Sequence, residues 1–315
     1  MIKIATLQRL YLTLPRNSKT SNDMKRLAII IALSATLFTV SARVLRRQLN
    51  ITRTSVPETE IIAPETMEFV YDYAYCVDTT ASLDDNYASD RMLLQIGAGG
   101  LSKFSSYRNL AIDSIIMSSS NEQLTNAAME GKLNNGEFMT IYKNYPAGRL
   151  THTEKICNDW LRYEEEITAI EWRLTDTTTT VLGFRCQGAE CDFRGRRWTA
   201  FFAEEIPLTD GPWKLHGLPG LIMKATDEKG EYTFECIGLR DKADRPITIY
   251  KVPYNDVDRK TYYDTKHRYE VNPYAYFEAT TGGHITVRDE NGNIMLDSYD
   301  PIELPFDYIE LDWHK

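Results

Sequence analysis

The side chains able to do acid–base, metal or nucleophilic chemistry are few and scattered. The five histidines are His152, His216, His267, His284 and His314. None falls in an H-x-H or H-E-x-x-H pattern, the spacings that set two imidazoles on one side of a strand or helix for a transition metal. The five cysteines, Cys76, Cys157, Cys186, Cys191 and Cys236, include no C-x-x-C, so zinc ribbons and thioredoxin-like redox chemistry find no support. One His has acids close by in sequence: His216 follows Glu204, Glu205 and Asp210. A hydrolase using His216 with Glu205 or Asp210 is one reading. A lone His without a nucleophile or oxyanion donors is more often a packed or surface residue, and a carboxylate pair needs a cleft with set distances. No catalytic residue, metal or cofactor is therefore assigned.

The densest unusual stretch is Gly211-Pro-Trp-Lys-Leu-His-Gly-Leu-Pro-Gly-Leu-Ile222. Pro219 followed by Gly220 predicts a type II turn with Gly at the positive-φ position. Gly217 is suited to a close backbone approach. Leu218, Leu221 and Ile222 are expected to enter the core with Trp213 covering them, which makes the stretch a structural lock. If it also binds, the side chains to do so are Trp213, Lys214, His216 and Leu218. A second candidate contact is the basic turn around Gly195, where Arg194 and Arg196, with Arg197, form either an anionic docking patch or a solvated turn paired to the acidic surface. The tyrosines Tyr250, Tyr254, Tyr262, Tyr263, Tyr269, Tyr274 and Tyr276 offer a sugar- or peptide-stacking face, or else half-buried sheet edges.

Cys186 and Cys191 leave two alternatives open. A turn at Gly188 would let them face each other and bridge. A strand running straight through would hold them more than about 15 Å apart, beyond disulfide reach.

The address is written near the start. Met24-Lys-Arg opens a basic segment, Leu27 to Val40 is apolar, and Val40-Ser-Ala42 supplies compact residues for a signal peptidase. That is a secretory signal peptide, too short to span a bilayer as a stable anchor. Residues 1–42 are read as an extension plus signal, with translation starting at Met24 or with a long n-region. Losing them takes the formal charge from −9 to −14, because they carry six Lys/Arg against one Asp. Such a charge repels nucleic acid and anionic membrane surfaces. Export permits disulfides, although five cysteines leave one thiol over within a chain.

Elements positioning these residues are mostly strands. Residues 43–65 read as a mobile leader, and 66–315 as one β domain. Alternating patterns predict strands at 67–78, 92–97, 139–143, 149–157, 160–174, 177–186, 197–203, 231–237 and 248–252. Helix is expected within 104–132 and over 255–269, the second capped by Asn255. Glu290-Asn-Gly-Asn293 signals a hairpin turn between 284–287 and 294–296. The expected fold class is mainly β: a large curved antiparallel sheet, half-open and barrel-like, with a few peripheral helices. A closed barrel or a sandwich is the alternative.

The run Gly217-Leu218-Pro219-Gly220-Leu221-Ile222 spells the hexapeptide of the GLPGLI family, exported proteins of Bacteroidetes, and the chain resembles that family over roughly 66–250. Ile170-Glu-Trp172, Val181-Leu-Gly-Phe-Arg-Cys186, Trp198-Thr-Ala-Phe-Phe202, Glu205-Ile-Pro207 and Gly211-Pro-Trp213 look like its other motifs. Gly188 stands where a Lys is common, and Phe184, Phe201 and Phe202 replace Tyr or Trp. The resemblance implies a location in the periplasm or envelope of a Gram-negative bacterium, without an established activity. The expected function is non-enzymatic binding of a partner protein, peptide or hydrophobic ligand. A structural accessory of an outer-membrane import complex is a further alternative.

Overall fold

A computed structural model describes residues 10–13, 56–79, 86–120, 135–241, 245–282, 284–288, 294–297 and 307–314, with Gln123, Leu124, Ala127 and Leu133 besides. Strands are β1 (Leu10–Thr13), β2 (Thr59–Ala63), β3 (Glu65–Cys76), β4 (Tyr87–Gly97), β5 (Ser102–Ser106), β6 (Thr140–Lys143), β7 (Arg149–Ile156) and β8 (Asp159–Glu166). After a connection come β9 (Arg173–Val181), β10 (Phe184–Phe193), β11 (Arg196–Ala203), β12 (Leu221–Asp227), β13 (Tyr232–Asp241), β14 (Ile247–Tyr250), β15 (Tyr254–Asp256), β16 (His284–Arg288) and β17 (Ile294–Asp297). Helices are α1 (Tyr107–Ser118), α2 (Arg259–Val271) and α3 (Pro273–Thr281).

Twelve strands form one sheet in the order β15-β8-β7-β6-β5-β4-β3-β13-β12-β11-β10-β9. Every pairing is antiparallel except the short parallel one of β15 with β8. The sheet is two meanders, β3 to β8 and β9 to β13, joined where β3 pairs β13 with Tyr75 opposite Tyr232 and Met67 opposite Asp241. Strands β2 and β14 pair separately, as do β1, β16 and β17. Thr59–Ala63 is therefore a paired strand, not part of a mobile leader. The signal segment Met24–Ala42 lies outside the described residues, as does the hairpin turn at 290–293.

The sheet must curl. Strands β8 and β9 lie ten positions apart, about 48 Å in a flat sheet. Yet residues 167–172 alone connect them, and a link of that length spans at most about 25 Å. Arg194, at the β10–β11 turn, also reaches Glu165 of β8 at 2.5 Å. The two edges do not pair, so the sheet is curved and open, as expected. Residues 168–172, read as a strand continuation, are this crossover. Ile167, Ile170 and Trp172 pack on the core there, and the Trp172 indole donates to His216 O at 2.8 Å.

The hollow of the curved sheet is filled by the chain itself. Between β11 and β12, the loop 204–220 sends residues 211–215 and Leu218 inward, with Trp213, Lys214 and Leu215 fully buried and Leu218 nearly so, while Glu204, Glu205, Pro207 and Thr209 stay exposed. Trp213 packs on Trp198 and Phe193, at ring-centre distances of 5.5 and 5.7 Å. The loop is laced to itself by Gly217 N to Thr209 O (3.0 Å), Leu221 N to Ile206 O (3.0 Å) and Ile222 N to Asp210 O (3.0 Å). Buried backbone groups need such partners. The Tyr71 hydroxyl caps Ile222 O at 2.8 Å. From β6, the Lys143 ammonium donates to Gly211 O (2.6 Å) and Leu215 O (3.2 Å) and pairs with Asp210.

The lock is thus real, but its glycines exchange the expected roles. Gly217 has φ +93°. Gly220 does not have a positive φ; a Cβ there would stand 2.3 Å from Ala203 O. The backbone of β11 passes too close for any side chain, so the Pro-Gly pair marks a close approach rather than a type II turn. Helix α2 differs by a few residues from expectation. Asp258, not Asn255, caps it, accepting from Thr261 N at 2.6 Å, because Tyr254–Asp256 is engaged as β15.

No turn forms at Gly188. Strand β10 runs through it with a bulge between Gln187 and Ala189. The bulge brings Cys186, Ala189 and Cys191 all into the core, each fully buried. Both thiols are free, which removes the Cys186–Cys191 bridge. Burial pushes the Cys191 thiol up to about 12.

Two outcomes test this fold. Gly220→Ala is expected to lose about 2–3 kcal/mol by overpacking, more than Gly217→Ala, where only the backbone conformation resists, at about 1 kcal/mol. Urea denaturation of both variants gives the ordering. Intact mass under denaturing conditions is expected to be the same with and without reductant; a rise of two hydrogens on reduction would contradict the packing around β10.

Candidate functional site

With the hollow occupied, a concavity remains where β7, α2 and the C-terminal residues 307–314 meet. Along β7, alternate residues share a face, which sets Leu150, His152, Glu154 and Ile156 together, all buried. A His and a Glu thus occupy positions of the kind that Leu and Ile hold on either side. Over α2, Tyr262, Lys266, Tyr269 and Glu270 follow helical spacing and close over them. Tyr73 and Tyr75 of β3 and Tyr232 of β13 form the opposite wall, and Tyr308 and Ile309 complete the rim. Trp213 backs the cavity, whose volume is about 130 Å³.

The polar groups here are tightly linked. The Tyr262 hydroxyl donates to Glu154 Oε2, and the Lys266 ammonium donates to both Glu154 oxygens at 2.9 and 3.0 Å. Burial opposes the Glu154 charge, but Lys266 and hydrogen bonds from His152 and Tyr262 outweigh it and hold the carboxyl at about 2. Burial works against the Lys266 charge too, yet Glu154, Glu270 and Glu137 raise its ammonium to about 12. The pair stays ionised across the neutral range. His152 stacks on Tyr163, with ring centres 4.8 Å apart and planes 14° apart. Its Nε2 lies 3.1 Å from the Tyr262 oxygen. Burial lowers its pKa, so the imidazole is neutral. Its Nδ1 has no hydrogen-bond partner among the described residues.

Beside the cleft, a second charged cluster pins the C-terminal segment. Fully buried Glu310 meets Lys214 Nζ at 2.6 Å and Arg259 at 2.6 Å. Lys214 also reaches Glu165 at 2.5 Å and the Tyr163 hydroxyl at 2.9 Å. Burial resists ionisation of Glu310, but Lys214, Arg259 and Arg194 prevail and hold it at about 2. Arg196, itself buried, binds Asp227 (2.8 Å) and Glu231 (2.7 Å) and donates to Tyr308 O and Ile309 O. Trp313 stacks on Tyr263 at 5.5 Å.

These contacts correct several expected binding residues. Trp213, Lys214 and Leu218 are not free to meet a partner, because they fill the hollow. Arg194 and Arg196 do not form a docking patch; their charges are spent on internal carboxylates and carbonyls. His216 is half-exposed, but its Nδ1 faces Lys214 O at 2.9 Å, Asp210 is taken by Lys143, and Glu205 is exposed. The His216 acid–base constellation is not assembled. The tyrosine cluster divides. Tyr262, Tyr263 and Tyr269 line the cleft, whereas Tyr250 and Tyr254 pack on Trp160. The Tyr274 side chain and His284 fall outside the described side chains. His152 and Glu154 carried a readable signal, two polar residues on the apolar face of an alternating strand, which the search for metal and catalytic spacings passed over.

No family model matches the chain, and no curated protein does. Among solved structures, it is similar to PNGF-II in two crystal forms, at 12% and 13% identity with TM-scores of 0.41 and 0.42. Those matches cover 64% of this chain but 32% of PNGF-II, so the chain spans about a third of that protein's length. It is also similar to the LolA superfamily protein NE2245 from Nitrosomonas europaea, at 8% identity and a TM-score of 0.25, covering 66% of this chain and 96% of that one.

Acid tests the two buried carboxylates. Glu154 and Glu310 have folded-state pKa values of about 2 against an ordinary 4.5. Between those values the unfolded chain binds more protons, so stability falls as pH falls. Each contribution, up to roughly 3 kcal/mol, is complete above about pH 4.5 and lost as pH drops through 2. Glu310→Gln is expected to flatten this acid limb and, by leaving Lys214 and Arg259 uncompensated, to cost about 3–5 kcal/mol at pH 7. Urea melts at pH 7, 4 and 3 read both effects.

Proposed function

We propose that this is an exported, non-enzymatic binding protein of the cell envelope, a member of the GLPGLI family, which holds a small ligand in the tyrosine-lined cleft between β7, α2 and the C-terminal segment. The observation that carries the reading is the contrast between the two concavities. The hollow of the curved sheet, where a hydrophobic cargo would sit in an open barrel, is occupied by residues 211–215 and Leu218. The cleft is roofed by rings with polar tips and braced by an ion pair that stays charged. Concave sites with a few placed polar groups among aromatic walls are the usual form of ligand pockets. The export and envelope parts rest on Met24–Ala42, and the family on the GLPGLI run and its companion motifs. No helix among the described residues is long and apolar enough to cross a membrane.

The pairing supports binding over turnover. Glu154 and Lys266 neutralise each other, and the one proton of the Tyr262 hydroxyl, which lies between His152 and Glu154, is engaged on that paired carboxylate. Tyrosine labelled with carbon-13 in the ring gives the test, with the protein exposed to an envelope extract of its own host. The ring signals of Tyr269 and Tyr308 are expected to shift, while those of Tyr250 and Tyr254 stay in place. Uniform shifts, or none at the two cleft residues, would remove the cleft as the binding site.

A further inference from the structure

The rings and charges of the cleft constrain what it takes, a step that rests on the binding reading above. Its wall is faceted. Tyr262 meets Tyr263 at 82° and Tyr263 meets Tyr308 at 66°, with ring centres 4.9 and 5.4 Å apart. On the opposite wall, Tyr73 and Tyr232 lie nearly parallel, at 19°. Of the lining rings, Phe138, Tyr269 and Tyr308 are partly exposed, so the aromatic wall reaches the opening. The chain already sets cations of its own against these rings. Lys266 Nζ stands 5.9 Å from the Tyr262 ring centre, the Arg259 guanidinium 5.9 Å from Tyr263 and that of Arg196 4.6 Å from Tyr232. An aromatic face attracts a cation through its quadrupole, most strongly where water is excluded.

We infer that the cleft is an aromatic cage for a quaternary ammonium head, the trimethylammonium group of a choline-type ligand. Charge selects a cation. Glu137, Glu154 and Glu270 line the cavity together with Lys155 and Lys266. Glu154 and Lys266 cancel as a pair, and the Lys155 ammonium stands over Trp160, a ring outside the lining, at 5.8 Å. Glu137 and Glu270 act on Lys266 as well. They leave a negative surplus that turns away a carboxylate or phosphate. Hydrogen-bond capacity selects the methylated form. A primary ammonium brings three donors that need acceptors, and inside the cavity both Glu154 oxygens are already engaged by Lys266 and Tyr262. A quaternary head brings no donor and lays methyl groups against the rings. Size agrees: a cavity of about 150 Å³ holds benzene, a trimethylammonium head has fewer heavy atoms than benzene, and the volume here is about 130 Å³.

The test uses the full chain labelled with carbon-13 in its tyrosine rings. The probes are choline, ethanolamine and the uncharged analogue of choline in which a tert-butyl group replaces trimethylammonium. Choline is expected to shift the rings of Tyr269 and Tyr308 and to leave those of Tyr250 and Tyr254 in place. Ethanolamine and the tert-butyl analogue should bind at least tenfold more weakly. Tyr269→Leu, which keeps apolar bulk but removes a ring, should weaken choline about fivefold. Glu270→Gln should weaken it about threefold at low salt, with the loss shrinking as salt is added. Retention of the protein on phosphatidylcholine vesicles, but not on phosphatidylglycerol vesicles, would support the cage with a lipid head as its source. Choline binding with neither vesicle would support it with a free solute. Equal binding of the tert-butyl analogue would overturn the cation assignment, and tighter binding of ethanolamine would overturn the methylated head; both leave the cleft as a site. No tyrosine shift with choline would also overturn the cage, while the envelope-extract experiment still decides the cleft separately. The comparison of choline with its uncharged analogue uses the wild-type chain and stands even where a variant does not fold.

Discussion

The structure depends on keeping a polar backbone loop inside an apolar hollow. Residues 204–220 bring peptide groups and one charged side chain into a space walled by aromatic and aliphatic residues, and each must be satisfied or the loop would not stay. Two lysines with opposite directions make it possible. Lys143 reaches in from β6 and meets the loop's own carbonyls and Asp210. Lys214 reaches out from the loop to Glu165 on β8 and Glu310 on the C-terminal segment. Burial lowers the pKa of Lys143 and Asp210 opposes it. The loop, which springs from the β9–β13 meander, is therefore fastened to the β3–β8 meander and to the end of the chain at once.

That fastening explains why the cleft sits where it does. Glu310 is held by Lys214 and Arg259, and Arg196 grips the carbonyls of Tyr308 and Ile309. The C-terminal rim of the cleft is thus positioned by the same charges that anchor the loop. On the other side, α2 is seated by Tyr262 and Tyr263 against β8 and by Lys266 on Glu154. Breaking a buried pair leaves an uncompensated charge, which is far more damaging than losing a surface pair. A site braced this way is rigid, which limits the entropy lost when a ligand is ordered in it.

Much of the architecture was legible because sheet patterning is local. Alternation located β3, β11 and β13, and the crowded Gly-Pro segment announced a structural lock. Three things were not legible. The crossover at 167–172 carries the same apolar spacing as a strand, and only the closure of the sheet decides against one. The bulge at Gln187–Ala189 changes which face Cys191 occupies, and a one-residue change of register has no signature in composition. The burial of Lys214 and Arg196 was read as exposure, because long cationic side chains are usually at the surface. Their partners lie 31 to 113 residues away in sequence, so no local pattern could pair them. The cleft followed the same rule: its two sides, β7 and α2, are separated by about a hundred residues.

The seam between β3 and β13 has a consequence for the order of assembly. Each meander pairs strands that are consecutive in the sheet-forming sequence, so its contacts close far shorter loops than the seam does. The seam instead pairs Tyr75 with Tyr232 and Met67 with Asp241, joining the first strand of one meander to the last strand of the other. Closing a loop of that length carries the largest entropic penalty in the sheet, and contacts of such separation slow folding. The two meanders can form early and independently. The barrier then lies in their docking, and the buried loop can be sealed only once both walls stand.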